Sequence, residues 1–285
     1  MKLLNYWETW VFIYLISAVI FAQSFRLANR KMKNAGSLTI LLEIFTALFS
    51  IIFIPFFKIS FPSDIKVYLT LLVVTLIYAI TDRLNIEARY SLEPSTFSML
   101  KQLSTVFLIF FGLIFLKEEF LINKFIGGII IILANLLLTY NKGKLEINKY
   151  FIMCFISNFL FAVAMLINVN ISDYFNLAIY TIITVSLPAI FIFLFEKQNI
   201  KNLKNEFKLY EKKTFFMAAF TWSLMLISSV KAYQLGNVSV VAPLLALTSI
   251  INALYEFFVN KNRSKFVQKI VAAILLIIGI ILVKM

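Results

Sequence analysis

The sequence contains no histidine and only one cysteine, Cys154, among its 285 residues. The lack of histidine excludes acid–base catalysis by imidazole, and a single thiol can form neither an internal disulfide nor a soft metal site. Charged residues make up 14% of the chain, against about one quarter in soluble domains. We therefore expect no enzyme, with no catalytic residues, no metal site and no cofactor.

The chain is instead rich in hydrophobic residues. Hydrophobic residues make up 61% of it, and the mean hydropathy is +0.91. These residues form runs of about 20, the length that an α-helix needs to cross a bilayer. Backbone polar groups must be satisfied within each segment in lipid, and the alternating pattern of β-barrel strands is absent. The sequence predicts an all-α membrane protein.

The apolar runs predict about ten transmembrane helices. Proline and polar clusters separate the runs, as at Phe61-Pro62-Ser63-Asp64. The first run is too long for a signal peptide and leads into basic residues, so we count it as a span. The predicted spans are 8–26, 37–57, 67–88, 95–116, 121–140, 149–169, 175–195, 214–234, 238–259 and 265–283.

The longest polar stretch, residues 196–213, contains apolar residues at helical spacing among lysines. Leu203, Phe207 and Tyr210 fall on one face with Ile200. This pattern predicts a short helix on the membrane surface, and a plain charged linker is the alternative.

The positive residues indicate an orientation in the membrane. The net charge is +13, and 19 of the 27 lysines and arginines lie in or close to the gaps after the odd-numbered spans. The positive-inside rule places these gaps in the cytoplasm and both termini outside it. This distribution explains the charge without nucleic acid, which we do not expect as a partner.

The ten spans divide into two halves, residues 1–145 and 146–285, each with five spans. Five is an odd number, so a repeated five-span unit must insert in opposite orientations. The predicted fold is two inverted five-helix repeats around a central cavity. Gly127, Gly128 and Gly279 recur in the last span of each half and indicate close helix packing, either against the other half or in a homodimer.

Charged residues within spans are costly, at about 2.5–3.5 kcal/mol each, and therefore indicate function. Glu43, Asp82 and Lys101 lie in the second, third and fourth spans. Asp82 and Lys101 are about equally far from the turn that joins their spans, so they can meet at one depth. They predict a charged cavity lining, with a structural ion pair or snorkelling to the interface as the alternatives.

The sequence resembles the drug/metabolite transporter superfamily, particularly its EamA-like branch. The resemblance rests on Tyr90-Ser91-Leu92-Glu93-Pro94-Ser95-Thr96, on Phe115-Leu116-Lys117-Glu118-Glu119 and on Gly127. The second half departs from the pattern, with Asn260-Lys261-Asn262 and Ile270 where a glycine-glutamate turn and a glycine are usual.

The resemblance implies a cavity between the halves that works by alternating access. Glu43 joins the candidate site on its charge alone, and hydroxyls or amides could instead bond neighbouring helices. The candidate substrate-binding residues are Gln23, Glu43, Tyr78, Asp82, Lys101, Gln102, Asn158, Trp222, Thr248 and Asn252.

The resulting functional prediction is a secondary transporter of small metabolites in the cell membrane, exporting amino acids or related compounds. Its partners would be the solute, the lipid bilayer, and a coupling proton or counter-substrate. A nucleotide-sugar carrier is an alternative, although the lysine of those carriers would fall at Ser104. Further alternatives are an enzyme acting on lipid-linked substrates, for which Glu118-Glu119 is the candidate acidic pair, and a non-transporting scaffold.

Overall fold

The computed structural model describes most of the chain with a few gaps. The described residues are 5–28, 32–104, 106–107, 111, 122–141, 144–145, 147–168, 171–236, 238–259, 261 and 266–284.

Eleven α-helices account for nearly all of these residues. They are α1 (Trp7–Ala28), α2 (Ala35–Ser50), α3 (Ile65–Ser91), α4 (Pro94–Leu100), α5 (Ile122–Thr139), α6 (Lys149–Asn168), α7 (Leu177–Phe195), α8 (Ile200–Leu209), α9 (Lys212–Leu235), α10 (Val238–Phe258) and α11 (Phe266–Lys284). Short 3₁₀ helices cover Ile51–Phe56 and Ser172–Tyr174. Two-residue strands β1 (Tyr140–Asn141) and β2 (Lys144–Leu145) pair antiparallel, with Tyr140 opposite Leu145.

Side-chain caps set the starts of several helices. Asn34, Asn176 and Asn199 each accept hydrogen bonds from backbone N–H groups in the first turn of α2, α7 and α8. Glu211 does the same for Thr214 at the start of α9, and the hydrogen bonds from Thr214 lower the pKa of its carboxyl. Asparagine and acidic residues therefore end the polar gaps where they can satisfy free donors.

The membrane assignment is confirmed in its general form. Five of the described segments are long and apolar enough to cross a bilayer, namely Trp7–Ala28, Ala35–Phe56, Ile65–Ser91, Leu177–Phe195 and Lys212–Leu235. Shorter apolar helices cover Phe125–Ala134, Lys149–Met165 and Phe266–Leu282. The helix ends match the predicted spans to within a few residues, except in the fourth span. The count of ten and the inverted repeat stay predictions.

The fourth span, predicted as one helix over 95–116, begins as the short helix α4. This helix ends at Leu100, and a turn at Lys101 and Gln102 separates it from the helical residues 103–104. The acidic turn Lys117-Glu118-Glu119 lies outside the described residues. The helix break could not be predicted, because no glycine or proline marks it.

Helices from the two halves of the chain pack against each other throughout. The most extensive contact joins α1 to α9, and further large contacts join α3 to α6, α2 to α7 and α5 to α11. The short α4 packs against α10. The described helices thus form one interleaved bundle, and its centre lies between helices of different halves.

The glycines of the fifth and last spans meet within the chain. A Cβ atom on Gly279 of α11 would lie 2.8 Å from the carbonyl oxygen of Gly127 in α5, closer than real Cβ contacts come. The small residue therefore permits the backbones to approach. Gly279 therefore packs against the other half of the chain, which is one of the two partners considered for it. The homodimer stays a prediction.

Charged and polar contacts hold the connections together at one end of the bundle, which we call the basic end. Arg83 of α3 forms ion pairs with Glu87 (2.9 Å) and Glu196 (2.7 Å), and Glu87 also meets Lys149. Glu206 of α8 accepts a hydrogen bond from the Lys33 backbone N–H at 2.8 Å. The gaps that precede α2, α6 and α8 therefore lie together at this end.

A helix is present in the stretch 196–213, as predicted, and it is α8; its apolar face, predicted to lie on the membrane surface, is instead covered by protein. Leu203 and Phe207 pack against residues of α2 and α9, and the Phe207 ring stacks on Phe45 at 5.4 Å. Tyr210 is buried and donates a hydrogen bond to Glu206. Ile200 alone of the predicted face is exposed.

At the opposite end, Asn176 ties two connections together. Its amide donates hydrogen bonds to the carbonyl oxygens of Ile54 (3.2 Å) and Phe57 (2.8 Å), while its backbone N–H bonds Ser60. The N-terminus of α1 lies at this end too, since Trp10 contacts the Phe57 ring. Polar contacts at both ends thus join helices of the two halves.

Candidate functional site

Helix α3 presents a row of polar side chains to the interior. Tyr78, Asp82 and Arg89 are spaced by four and seven residues, which places them on one face of the helix. Asp82 and Tyr78 interact electrostatically, as do Asp82 and Arg89. Asn85, on an adjacent part of the face, accepts a hydrogen bond from Ser157 of α6 at 2.6 Å. This face of α3 is the polar wall of the candidate site.

Lys101 faces this wall from the break between α4 and residue 103. Its own N–H still bonds the Phe97 carbonyl, but the Gln102 and Ser104 N–H groups bond only three residues back, to Met99 and Lys101. The tighter turn leaves the Leu100 carbonyl without its usual helical partner. The sequence thus places a lysine at a point where the helix is interrupted.

Asn158 of α6 satisfies that carbonyl. Its side-chain amide donates a 2.9 Å hydrogen bond to the Leu100 oxygen, and the residue is fully buried. Its other polar atom, Oδ1, has no hydrogen-bond partner in the described part of the protein. Asn158 therefore stabilises the helix break in the fourth span, and its Oδ1 atom is a hydrogen-bond acceptor that remains available in the interior.

Asp82 and Lys101 interact electrostatically, as the sequence predicts, but no direct ion pair joins these two described side chains. The Lys101 ammonium instead lies 4.3 Å from the centre of the Phe161 ring of α6. Protein surrounds both residues, yet each keeps part of its surface accessible. Both side chains are therefore half-buried beside each other.

Arg89 is a member of the cluster that the sequence analysis missed. Its guanidinium lies over the rings of Phe21 (4.6 Å) and Phe97 (4.1 Å), so it joins α1 to α4. It also interacts with Tyr14 of α1 and with Asp82. The sequence feature that could have identified Arg89 is its spacing of seven residues from Asp82, which places both on one face of a helix. Arg89 was not considered because it lies one residue beyond the predicted end of the third span.

A second group of candidate residues forms an amide bridge between the halves. Gln23 of α1 donates a 3.1 Å hydrogen bond to Asn252 of α10, and Asn252 donates one of 3.1 Å to the Ser98 hydroxyl of α4. Gln102 makes a longer contact, 3.4 Å, with the Ser98 carbonyl. These four residues connect three helices beside Lys101, and Ser98 was missing from the prediction.

The remaining candidates have contacts of their own. The Trp222 ring of α9 stacks on Phe21 at 5.5 Å, and Phe21 in turn contacts Arg89. Tyr78 is half-buried near Phe161. The Thr248 hydroxyl bonds the Leu245 carbonyl of its own helix at 2.6 Å, rather than a group of a neighbouring helix. Trp222 and Tyr78 thus contact residues that surround the charged cluster.

Glu43 lies at the edge of the cluster. It is fully buried in α2, interacts electrostatically with Asp82, and has no hydrogen bond to either carboxylate oxygen in the described part of the protein. The site therefore contains two carboxyl groups, Glu43 and Asp82, and two cations, Arg89 and Lys101. Such a lining can attract both signs of charge on a small solute, and its aromatic rings can contact apolar parts.

Comparison with known proteins shows what the first half of the chain is similar to. The sequence profile of the EamA-like transporter family matches residues 8–140. A solved crystal structure, titled only as that of a protein, superposes with a TM-score of 0.57 over 96% of this chain and 97% of its own. Its identity is 9%, so it shows a shared fold alone. No curated protein matches the chain.

The chain is a multi-pass membrane protein, and the family matched by its first half is one of membrane transporters of small molecules. That family belongs to the drug/metabolite transporter superfamily, which confirms the resemblance found in the sequence. The matched region contains Glu43, Asp82, Arg89 and Lys101, all four charges of the candidate site.

Proposed function

We propose that the protein is a secondary transporter that moves a small, charged metabolite by alternating access through the space lined by Asp82, Arg89 and Lys101. The observation that carries the proposal is a charged cluster at a helix break, enclosed by helices of both halves. Broken helices near the membrane midplane provide binding sites in many transporters. Intramembrane charges of this kind are retained where they contact a solute or an ion.

The interleaved packing supports two inverted repeats, residues 1–145 and 146–285, as the frame for this motion. In such a repeat, the first and third spans correspond to the sixth and eighth. The contact between the first and eighth spans (α1 with α9) is therefore equivalent to the contact between the sixth and third spans (α6 with α3). Both contacts are among the largest in the bundle. The contacts α2–α7, α4–α10 and α5–α11 each join equivalent spans and would map onto themselves.

The substrate best matched to this lining is an amino acid or a related metabolite. A zwitterion carries a carboxylate suited to Arg89 or Lys101 and an ammonium suited to Asp82, so both charges would be neutralised in a site of low dielectric. The basic end would face the cytoplasm of the cell, with both termini outside, and the direction would be export. Glu43 and Asp82 are the carboxyl groups available for a coupling proton.

A nucleotide-sugar carrier is the second candidate within the superfamily. It is less well supported, because the Ser104 hydroxyl, at the position of the expected lysine, bonds the Lys101 carbonyl at 2.8 Å. An enzyme acting on lipid-linked substrates would need a cluster of metal-binding carboxylates. Within the described ranges no group of three or more acidic, cysteine or histidine residues could hold a metal ion, and Glu118-Glu119 lies outside them.

The test is solute-dependent thermal stabilisation of the purified protein. A panel of amino acids, nucleotide sugars and amphipathic cations should give an increase in unfolding temperature with amino acids, since a ligand that binds the folded state stabilises it by mass action. Lys101→Ala should abolish the increase. Lys149→Ala, which removes an exposed lysine at the basic end, should retain it.

Two outcomes would contradict the proposal. Stabilisation that is unchanged in Lys101→Ala would place the solute elsewhere. Stabilisation by nucleotide sugars but not by amino acids would favour the second candidate.

A further inference from the structure

The carboxyl group of Glu43 differs from every other buried polar side chain of α2. Ser37, Thr39, Thr46 and Ser50 are equally buried, and each makes at least one hydrogen bond. Glu43 is 0% exposed, and neither of its oxygens has a hydrogen-bond partner within the described residues. An ionised carboxylate in this position would have lost its hydration without any replacement, which costs many kcal/mol.

Among the described residues, no cation on the neighbouring helices compensates Glu43. Asp82 of α3 is the titratable group that acts on it, and it has the same sign. Arg83 of α3 is occupied by Glu87 and Glu196 at the basic end. Helix α7 contains no charged residue between Leu177 and Phe195.

The other helices packed on α2 also lack a nearby cation for this carboxyl. Helix α9 carries lysines only at its ends, and it meets α2 through hydroxyl and backbone contacts, Thr46 with the Ala219 carbonyl and Ser50 with Ser223. Helix α8 meets α2 through aromatic packing at Phe45. Lys101 and Arg89 interact with Asp82 instead. Of the two interior carboxyl groups, only Asp82 has cations to balance its charge.

Helix α2 also lies where the halves of the chain meet. The side chains of Ser37, Thr46 and Ser50 each make a hydrogen bond with a residue between 198 and 223 of the second half. A movement of one half against the other must change these contacts and would change the access of water to Glu43. A carboxyl group that is neutral when enclosed and ionised when hydrated converts such a movement into proton binding and release.

We propose that Glu43 is the proton-binding site of this transporter, occupied by a proton in the enclosed conformation and emptied when the halves move apart. Asp82 is then the partner of Arg89, Lys101 and the solute. The inference rests on the proposed transport function, and it assigns the coupling ion to a proton and its site to one residue. The step involves only the binding of one proton to a carboxylate oxygen and its later release to water.

The first measurement detects the proton without any solute. Infrared difference spectra of the protein in lipid, recorded between neutral and alkaline pH, should contain the carbonyl stretch of a neutral carboxylic acid. Glu43→Gln should remove this band, because glutamine has the shape of the neutral acid but cannot be ionised. Glu87→Gln, which changes a carboxylate ion-paired at the basic end, should retain it. A band that keeps its full wild-type intensity in Glu43→Gln would overturn the proposal.

The second measurement follows transport of a mixture of radiolabelled amino acids into liposomes. The wild-type protein should catalyse exchange at equal pH and should accumulate solute when a pH gradient is imposed. Glu43→Gln should lose the accumulation, while Glu87→Gln, at the basic end and outside the site, keeps both exchange and accumulation. Full accumulation by Glu43→Gln would contradict the proton site.

These two measurements separate the inference from the function on which it rests. If the wild-type protein shows neither exchange nor accumulation, the transport proposal fails for amino acids, and the infrared band still reports the proton on Glu43. If Glu43→Gln does not fold, Glu43→Leu, which suits an apolar environment, replaces it in both measurements with the same expected results.

Discussion

Replacing Glu256 with alanine is expected to lower the free energy of unfolding by about 3–5 kcal/mol, the range for removing one partner of a buried ion pair. Glu256 of α10 and Lys269 of α11 are 1% and 3% exposed, and their charged atoms are 2.9 Å apart. The same carboxylate accepts hydrogen bonds from the Ser95 backbone N–H (2.9 Å) and hydroxyl (2.5 Å) at the start of α4. Its loss would leave Lys269 with less compensation and would remove the cap of α4.

Glu93 provides a matched control for this change. It also forms an ion pair with Lys269, but its side chain is 30% exposed, so solvent screening limits the effect of Glu93→Ala to roughly 1 kcal/mol. Denaturant unfolding of the two variants in the same detergent measures the difference. Equal losses of stability would show that Glu256 is not the buried anchor of α4.

Replacing Asn158 with leucine is expected to lower the free energy of unfolding by roughly 2–4 kcal/mol, because the Leu100 carbonyl would be buried without a donor. Leucine has the same branching at Cγ as asparagine and is larger, so the change removes the amide group without creating a cavity. Transport should fall as well, because the turn that positions Lys101 depends on this hydrogen bond. Unfolding and amino-acid exchange in liposomes, measured on the same preparation, test both expectations.

Gln102→Leu is the comparison for Asn158→Leu. The Gln102 amide makes a 3.4 Å contact in a half-buried position of the same turn. Its removal should cost at most about 1 kcal/mol, the value for an ordinary hydrogen bond. Wild-type stability in Asn158→Leu would mean that the break at residue 101 does not need its support.

The membrane class and nearly all the helices were predictable from the sequence because they depend on long-range patterns of hydropathy. Apolar runs of about 20 residues leave the backbone no alternative to a helix in lipid. The ends of α1 and α9 followed from the polar clusters that flank them. Helix α8 followed from the spacing of Leu203 and Phe207, although its burial against α2 depends on tertiary packing that a single helical pattern does not contain.

The candidate site was predictable where charge revealed it. Asp82 and Lys101 were paired by counting residues from a shared turn, and in the structure their charges interact without a direct ion pair. Three features needed coordinates, since each depends on a partner distant in the chain. They are the break after Leu100 with its support by Asn158, the position of Arg89 between Phe21 and Phe97, and the isolation of Glu43.

We expect an aqueous space to reach Lys101 and Asp82 inside the bundle, and thiol labelling tests this expectation most directly. The single native thiol, Cys154, is buried and can be removed as Cys154→Ser. In that background Gln102→Cys reports on the site, and Ile44→Cys on the outer surface of the bundle, where an apolar side chain is exposed. A thiol reacts as its thiolate, which requires water.

In membranes, a water-soluble methanethiosulfonate reagent should therefore label Gln102→Cys and leave Ile44→Cys unmodified. Labelling of Gln102→Cys should slow when an amino acid that stabilises the protein is present, since the solute would occupy the same space. If Gln102→Cys is as unreactive as Ile44→Cys in membranes that support exchange, no aqueous path reaches the charged cluster, and the account of this site as a transport cavity is wrong.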